Sequence, residues 1–105
     1  MRHPLAHENL DAYRLARDVA RWVRATDFAR GDADLKDQAL RASRSCVLNL
    51  AEGCSSLGGN RRKHFRIAMG SAAECCAALD LVVLPGAAER QDELRRVVAM
   101  LHKLK

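Results

Sequence analysis

The sequence predicts an all-α protein, an antiparallel up-down four-helix bundle in a single domain over residues 1–105. Three observations carry this: four segments repeat apolar residues with a helical period, short Gly- or Pro-bearing stretches separate them, and β-branched runs are nearly absent. A chain of this length supports one domain, and its 4% aromatic content assigns the core to Ala, Leu and Val. The helices are expected at about 8–28, 33–53, 60–84 and 88–104.

The first segment places Tyr13, Ala16, Ala20 and Val23 on one stripe, with Leu15, Val19 and Trp22 beside it. Its outer face is charged, and Asp11 with Arg14 or Asp18 with Arg21 has the i,i+3 spacing of a helical ion pair. Arg30-Gly31 ends the segment, and Asp32 or Asp34 is expected to cap the next. That second helix sets Leu35, Ala39, Ala42, Cys46 and Leu50 on one stripe and Leu40, Val47 and Ala51 on another, with Gly53 expected as its stop. Ser55 to Asn60 reads as a loop with Asn60 as the next cap. The third segment is apolar nearly all round from Ile67 onward, more than a bundle of this size buries, so part of it is expected to face another subunit. Pro85-Gly86 stops it, and the last helix returns to a narrow stripe of Leu94, Val97, Val98, Leu101 and Leu104.

Charges recur every few residues at the N-terminus, which argues against a signal peptide, and the protein is expected to be cytoplasmic. Glu74 and Asp80 interrupt the most apolar run, so no membrane span is expected. Cys46, Cys54, Cys75 and Cys76 lack the paired spacing of a zinc site and read as small buried thiols; neither a metal nor a cofactor is expected.

The net charge of +5 is concentrated between Leu40 and Arg66, where Arg41, Arg44, Arg61, Arg62, Lys63 and Arg66 face Glu52 alone. Lysine and arginine that displace counterions from phosphates gain affinity without reading bases, so these six residues are the candidate nucleic-acid contacts. Arg61, Arg62 and Lys63 fall in the expected first turn of the third helix, where the helix dipole disfavours positive charge. Glu52 sits at a helix C-terminus, where the dipole opposes it, and it calls for a cation such as Arg41, Arg44 or Arg66. Ser45, Asn49 and Glu52 lie near apolar positions and are expected to have partners, and Asn49, Glu52, Ser71 and Glu74 are expected to form a structural polar network setting the register of the second and third helices.

Several stretches together resemble a known family. They are Leu35-Lys36-Asp37-Gln38 followed by Arg41-Ala42, Leu48-Asn49-Leu50-Ala51-Glu52-Gly53, and Phe65-Arg66-Ile67-Ala68-Met69-Gly70-Ser71-Ala72-Ala73-Glu74, with Leu10 to Ala16 also similar. In order and approximate spacing they resemble the bacterial four-helix-bundle proteins related to the protein encoded in intervening sequences of 23S ribosomal RNA genes. The resemblance implies a four-helix bundle that can assemble as a homopentamer. The family includes the accessory variability determinant of diversity-generating retroelements, a basic protein that binds nucleic acid and a reverse transcriptase. The chain departs from the family's pattern at Cys46-Val47-Leu48 and at Cys75-Cys76, the second of which bears on contacts between subunits.

The expected function is therefore non-enzymatic: a homo-oligomer that offers a basic surface to RNA or DNA. Two alternatives belong to other classes. One is a protein-interaction scaffold whose charge only maintains solubility. The other is a ribonuclease resembling the HEPN type, from the Arg96-x5-His102 spacing on the final helix, where Arg would hold a phosphate and His move a proton. His3, His7 and His64 have no evident partners and are expected at the surface.

Overall fold

Apolar residues alternating three and four apart wind the chain into α1 (Asp11–Ala25), α2 (Ala33–Cys54), α3 (Gly58–Asp80) and α4 (Ala87–Lys103), with single 3-10 turns at Ala6–Asn9 and Arg30–Asp32. This computed structural model describes residues 3–104, so the extreme ends of the expected domain lie outside the described residues. No strand occurs among the described residues. Each helix packs on its neighbour in chain order, and α1 also packs on α4, which closes the bundle.

The core is a set of four lines. Ala12, Ala16, Val19 and Val23 face inward from α1, Ala39, Ala42, Cys46 and Leu50 from α2, Phe65, Ala68, Ala72, Cys75 and Leu79 from α3, and Leu94, Val97 and Leu101 from α4. The spacing is that of knobs-into-holes packing, and the alanines let the helix axes approach closely. Gln91 is an unexpected buried member: its Nε2 donates to the Cys76 carbonyl at 3.2 Å and to Asp80 Oδ1 at 3.3 Å, which ties α4 to the end of α3.

Several helix ends differ from expectation. Gly53 does not stop α2, which runs on to Cys54. It is buried against the Phe65 ring so closely that a Cβ at position 53 would stand 2.5 Å from two ring carbons. Its smallness serves helix packing, not termination. Asn60 is no cap, because α3 begins at Gly58 with Leu57 before it and no capping side chain, and Asp32 likewise makes no side-chain cap to α2. α3 ends at Asp80 instead of continuing to Leu84. Val82 and Val83 are β-branched, and Pro85 excludes its predecessor from the helical region, so the chain leaves the helix before the proline. Gly86 turns the chain with a φ of 92°, and its α-carbon lies against Trp22. On the outer face of α1, Asp11 pairs with Arg14 at 3.3 Å as expected, but Asp18 pairs with its neighbour Arg17 at 3.2 Å instead of Arg21.

α3 buries more of its apolar residues than expected, because α2 and α4 flank it on two sides. Ala68, Ala72, Cys75 and Leu79 are enclosed, Met69 and Cys76 are half-buried, and past the helix end Val82 is half-buried and Val83 fully exposed. The exposed line of α3 is instead Ile67, Gly70, Ala73 and Ala77, continued by Leu81 just past its end. No helix among the described residues is long and apolar enough to cross a membrane.

Two outcomes test this packing. Gly53→Ala gains helix propensity of up to about 1 kcal/mol but overpacks a confined ring, which costs about 1–3 kcal/mol, so chemical denaturation should show a net loss that Phe65→Leu relieves. Burial pushes the Cys46 thiol up to about 12, and burial, reinforced by its cysteine neighbours and Glu74, does the same at Cys75, from an ordinary 9.0. The unfolded chain therefore releases these protons first. Stability from both thiols is fully present below about pH 9 and is lost as pH rises toward about 12, so the urea midpoint should fall across that window, and less steeply in Cys46→Ala/Cys75→Ala.

Candidate nucleic-acid interface

The cationic residues read from the sequence do not form one surface. Arg62 and Arg66 have i,i+4 spacing on α3, and with the adjacent Arg61 they line a cleft between that helix and the end of α4. The cleft has a volume of about 560 Å³. Phe65, Met69 and Leu101 supply its apolar wall, and His102 and Leu104 close the α4 side. No acidic side chain among the described residues lines it. Lys63 is exposed but does not line the cleft. Arg41 and Arg44 are exposed on α2, and Arg44 borders a separate, shallower groove between α1 and α2 beside Arg17 and Arg21. The reason is angular: residues three or four apart share one face of a helix, while α2 and α3 direct their outer faces to different sides of the bundle.

Arg61 is held in place by an aromatic ring. Its guanidinium carbon lies 4.9 Å from the Phe65 centroid, within the range of a cation–π contact. The opposite demand on that ring comes from Gly53, so Phe65 is fixed between α2 and Arg61. Arg61 also reaches Cys54: burial raises that thiol, and the nearby positive charge partly offsets the rise. Because α3 begins at Gly58, Arg61, Arg62 and Lys63 occupy its second turn, not its first, and the expected conflict with the helix dipole is reduced. At the other side of the cleft, His102 sits in the last turn of α4, where the dipole favours a cation.

The expected polar network exists in altered form. Ser45 and Ser71 hydroxyls meet at 2.9 Å across α2 and α3. Asn49 Nδ2 donates to the Ser45 carbonyl at 2.9 Å and to its hydroxyl at 3.3 Å, which leaves Oδ1 to accept from His64 Nδ1 at 2.9 Å. The proton of a neutral His64 ring is thereby assigned to Nδ1. His64 is thus half-buried and bonded, contrary to the surface histidine expected, and Ser45, expected to have a partner, joins the network through Ser71 and Asn49. His7 is also half-buried, with its ring 4.5 Å from that of Tyr13, while His3 is exposed. Glu52 does not belong to the network: it is exposed, and none of the ion pairs among the described residues includes it. Water solvates its carboxylate, so Arg41, Arg44 and Arg66 are not drawn to it. Its backbone carbonyl instead accepts the hydroxyls of Ser55 and Ser56 at 3.1 and 2.8 Å. Glu74 is exposed as well and meets only Gln38, at 3.5 Å.

Arg96 does not line the cleft that holds His102. Six residues along an α-helix set two side chains roughly 120° apart around its axis, so within one chain this pair does not converge.

The network makes a stability prediction that separates its members. Asn49→Ala strands the His64 N–H in a half-buried site and should cost about 1–3 kcal/mol in chemical denaturation, with strong coupling to His64→Ala in a double-mutant cycle. Glu52→Ala should leave the denaturation midpoint where it is.

No curated protein gives a significant match to the chain. A family model described as the 23S rRNA-intervening sequence protein matches residues 8–104, a span that includes all four helices and both walls of the cleft, and the chain belongs to that family.

Proposed function

We propose that this protein is a non-enzymatic, cytoplasmic accessory protein that self-associates and binds RNA or DNA through basic surfaces, of which the α3–α4 cleft is the principal one. The observation that carries the reading is the convergence of Arg61, Arg62 and Arg66 on a cleft with no acidic lining residue among those described. Phosphates gain from such a surface by releasing counterions, and no geometry for reading a duplex groove is required. Arg44, with Arg17 and Arg21 nearby, supplies a second contact surface on the α1–α2 side, and Arg41 is exposed one helical turn before it on α2.

An antiparallel up-down course is supported by the bonds between α2 and α3. Gln38 meets Glu74, Ser45 meets Ser71 and Asn49 meets His64, so partners advance along one helix as they retreat along the other. Self-association is supported by the exposed line of α3, where small Gly70, Ala73 and Ala77 lie between Ile67 and Leu81 and offer a close-packing face to a second copy. Family membership favours a pentamer, and the resemblance to the retroelement accessory protein favours a reverse transcriptase as protein partner. Repetition of the cleft around a ring would multiply weak single-site contacts along a polyanion.

Salt dependence tests the proposal. Affinity for mixed RNA or DNA should fall steeply with salt, and Arg62→Ala/Arg66→Ala should lower the log–log slope by roughly two. Absence of binding near physiological salt by the wild-type protein would overturn the reading and leave a protein-interaction scaffold.

A further inference from the structure

The α3–α4 cleft is more than a charged surface. An electrostatic patch that only tracks phosphates needs neither depth nor an apolar wall, yet this one has both: Phe65 and Met69 back it, with Arg61 on the ring face of Phe65 and Arg62, Arg66 and His102 at its edge. We propose that the cleft is a pocket for one nucleotide of a single strand, the base taken against Arg61 and the apolar wall and its phosphate by Arg62, Arg66 and His102. The inference rests on the nucleic-acid reading and gives it a substrate class.

Three features support that occupant. The volume of about 560 Å³ is in the range of small-molecule sites and admits a base with its sugar and phosphate. The Arg61 guanidinium, planar by its own chemistry and 4.9 Å from the Phe65 centroid, offers a stacking plane in the cleft, and unstacked bases stack on arginine planes as well as on aromatic rings. The charge is complementary to phosphate throughout, with no lining carboxylate among the described residues to oppose it. A duplex cannot use such a pocket, because its bases are already stacked and paired within the helix. The cleft therefore selects single strands, where an electrostatic patch would favour the more densely charged duplex.

The test uses the full chain, with fluorescence anisotropy on a labelled unstructured oligonucleotide of about a dozen residues, as RNA and as DNA, against its own duplex; a single OB-fold spans ~4–16 nucleotides. Arg61→Lys keeps the charge and removes the flat guanidinium, and circular dichroism checks that the variant remains helical. The wild type should bind the single strand at least about tenfold more tightly than the duplex, and Arg61→Lys should reduce that ratio severalfold. A 2-aminopurine in the single strand should also change its emission with wild type and not with Arg61→Lys. Equal binding of single strand and duplex, indifferent to Arg61→Lys, would overturn the nucleotide pocket and leave the electrostatic reading intact. Failure to bind either form at low salt would overturn both.

Discussion

The contact on which the structure depends most is that between Gly53 and the ring of Phe65. With no side chain at position 53, α2 and α3 approach until the ring lies directly on the α2 backbone. The ring is then confined by α2, with Arg61 over it at 4.9 Å from its centroid. One small residue in the core thereby sets both the separation of two helices and the position of a surface cation. The floor of the α3–α4 cleft and the interior of the bundle are two sides of the same ring.

Polar bonds reinforce that contact farther along the same interface. The chain from Ser71 through Ser45 and Asn49 to His64 runs beside it, so a slip of one helix past the other would break several bonds at once. Buried or half-buried polar groups of this kind add specificity of register more than raw stability, since each bond replaces one made with water. The opposite pair, α1 and α4, is joined differently: Arg90 lies 5.7 Å from the Trp22 ring and pairs with Glu93, while Gly86 admits the edge of the indole.

Much of this architecture is legible in the sequence, and the remainder is hidden for identifiable reasons. The stripe of Ala39, Ala42, Cys46 and Leu50 declares both the helix and its buried face, because burial and periodicity are local properties. Gly53 is misread as a stop because a glycine after a helical run has the same local pattern whether it ends the helix or admits a ring twelve positions later. Glu52 is read as buried from its place beside Ala51 and Gly53, yet a shift of one residue turns a side chain by roughly 100° and leaves it in water. His64 lacks any visible partner because Asn49 lies on another helix. The site divides in the same way: the i,i+4 spacing that aligns Arg62 with Arg66 can be counted along the chain, whereas His102 joins them only through the packing of α4 on α3. In the sequence His102 stands out only through its spacing from Arg96, which assigns it a different neighbour.

The three-residue connection between Cys54 and Gly58 has a consequence for the order of assembly. Position 53 meets position 65 after only a short stretch of chain, so this tertiary contact demands little loop-closure entropy, and it falls between two helices that form quickly by themselves. The α2–α3 pair is accordingly the expected folding nucleus, on which α1 and α4 condense later and from opposite directions in the chain. An added side chain at position 53 would then act chiefly on the rate of folding, before the cleft has acquired its second wall.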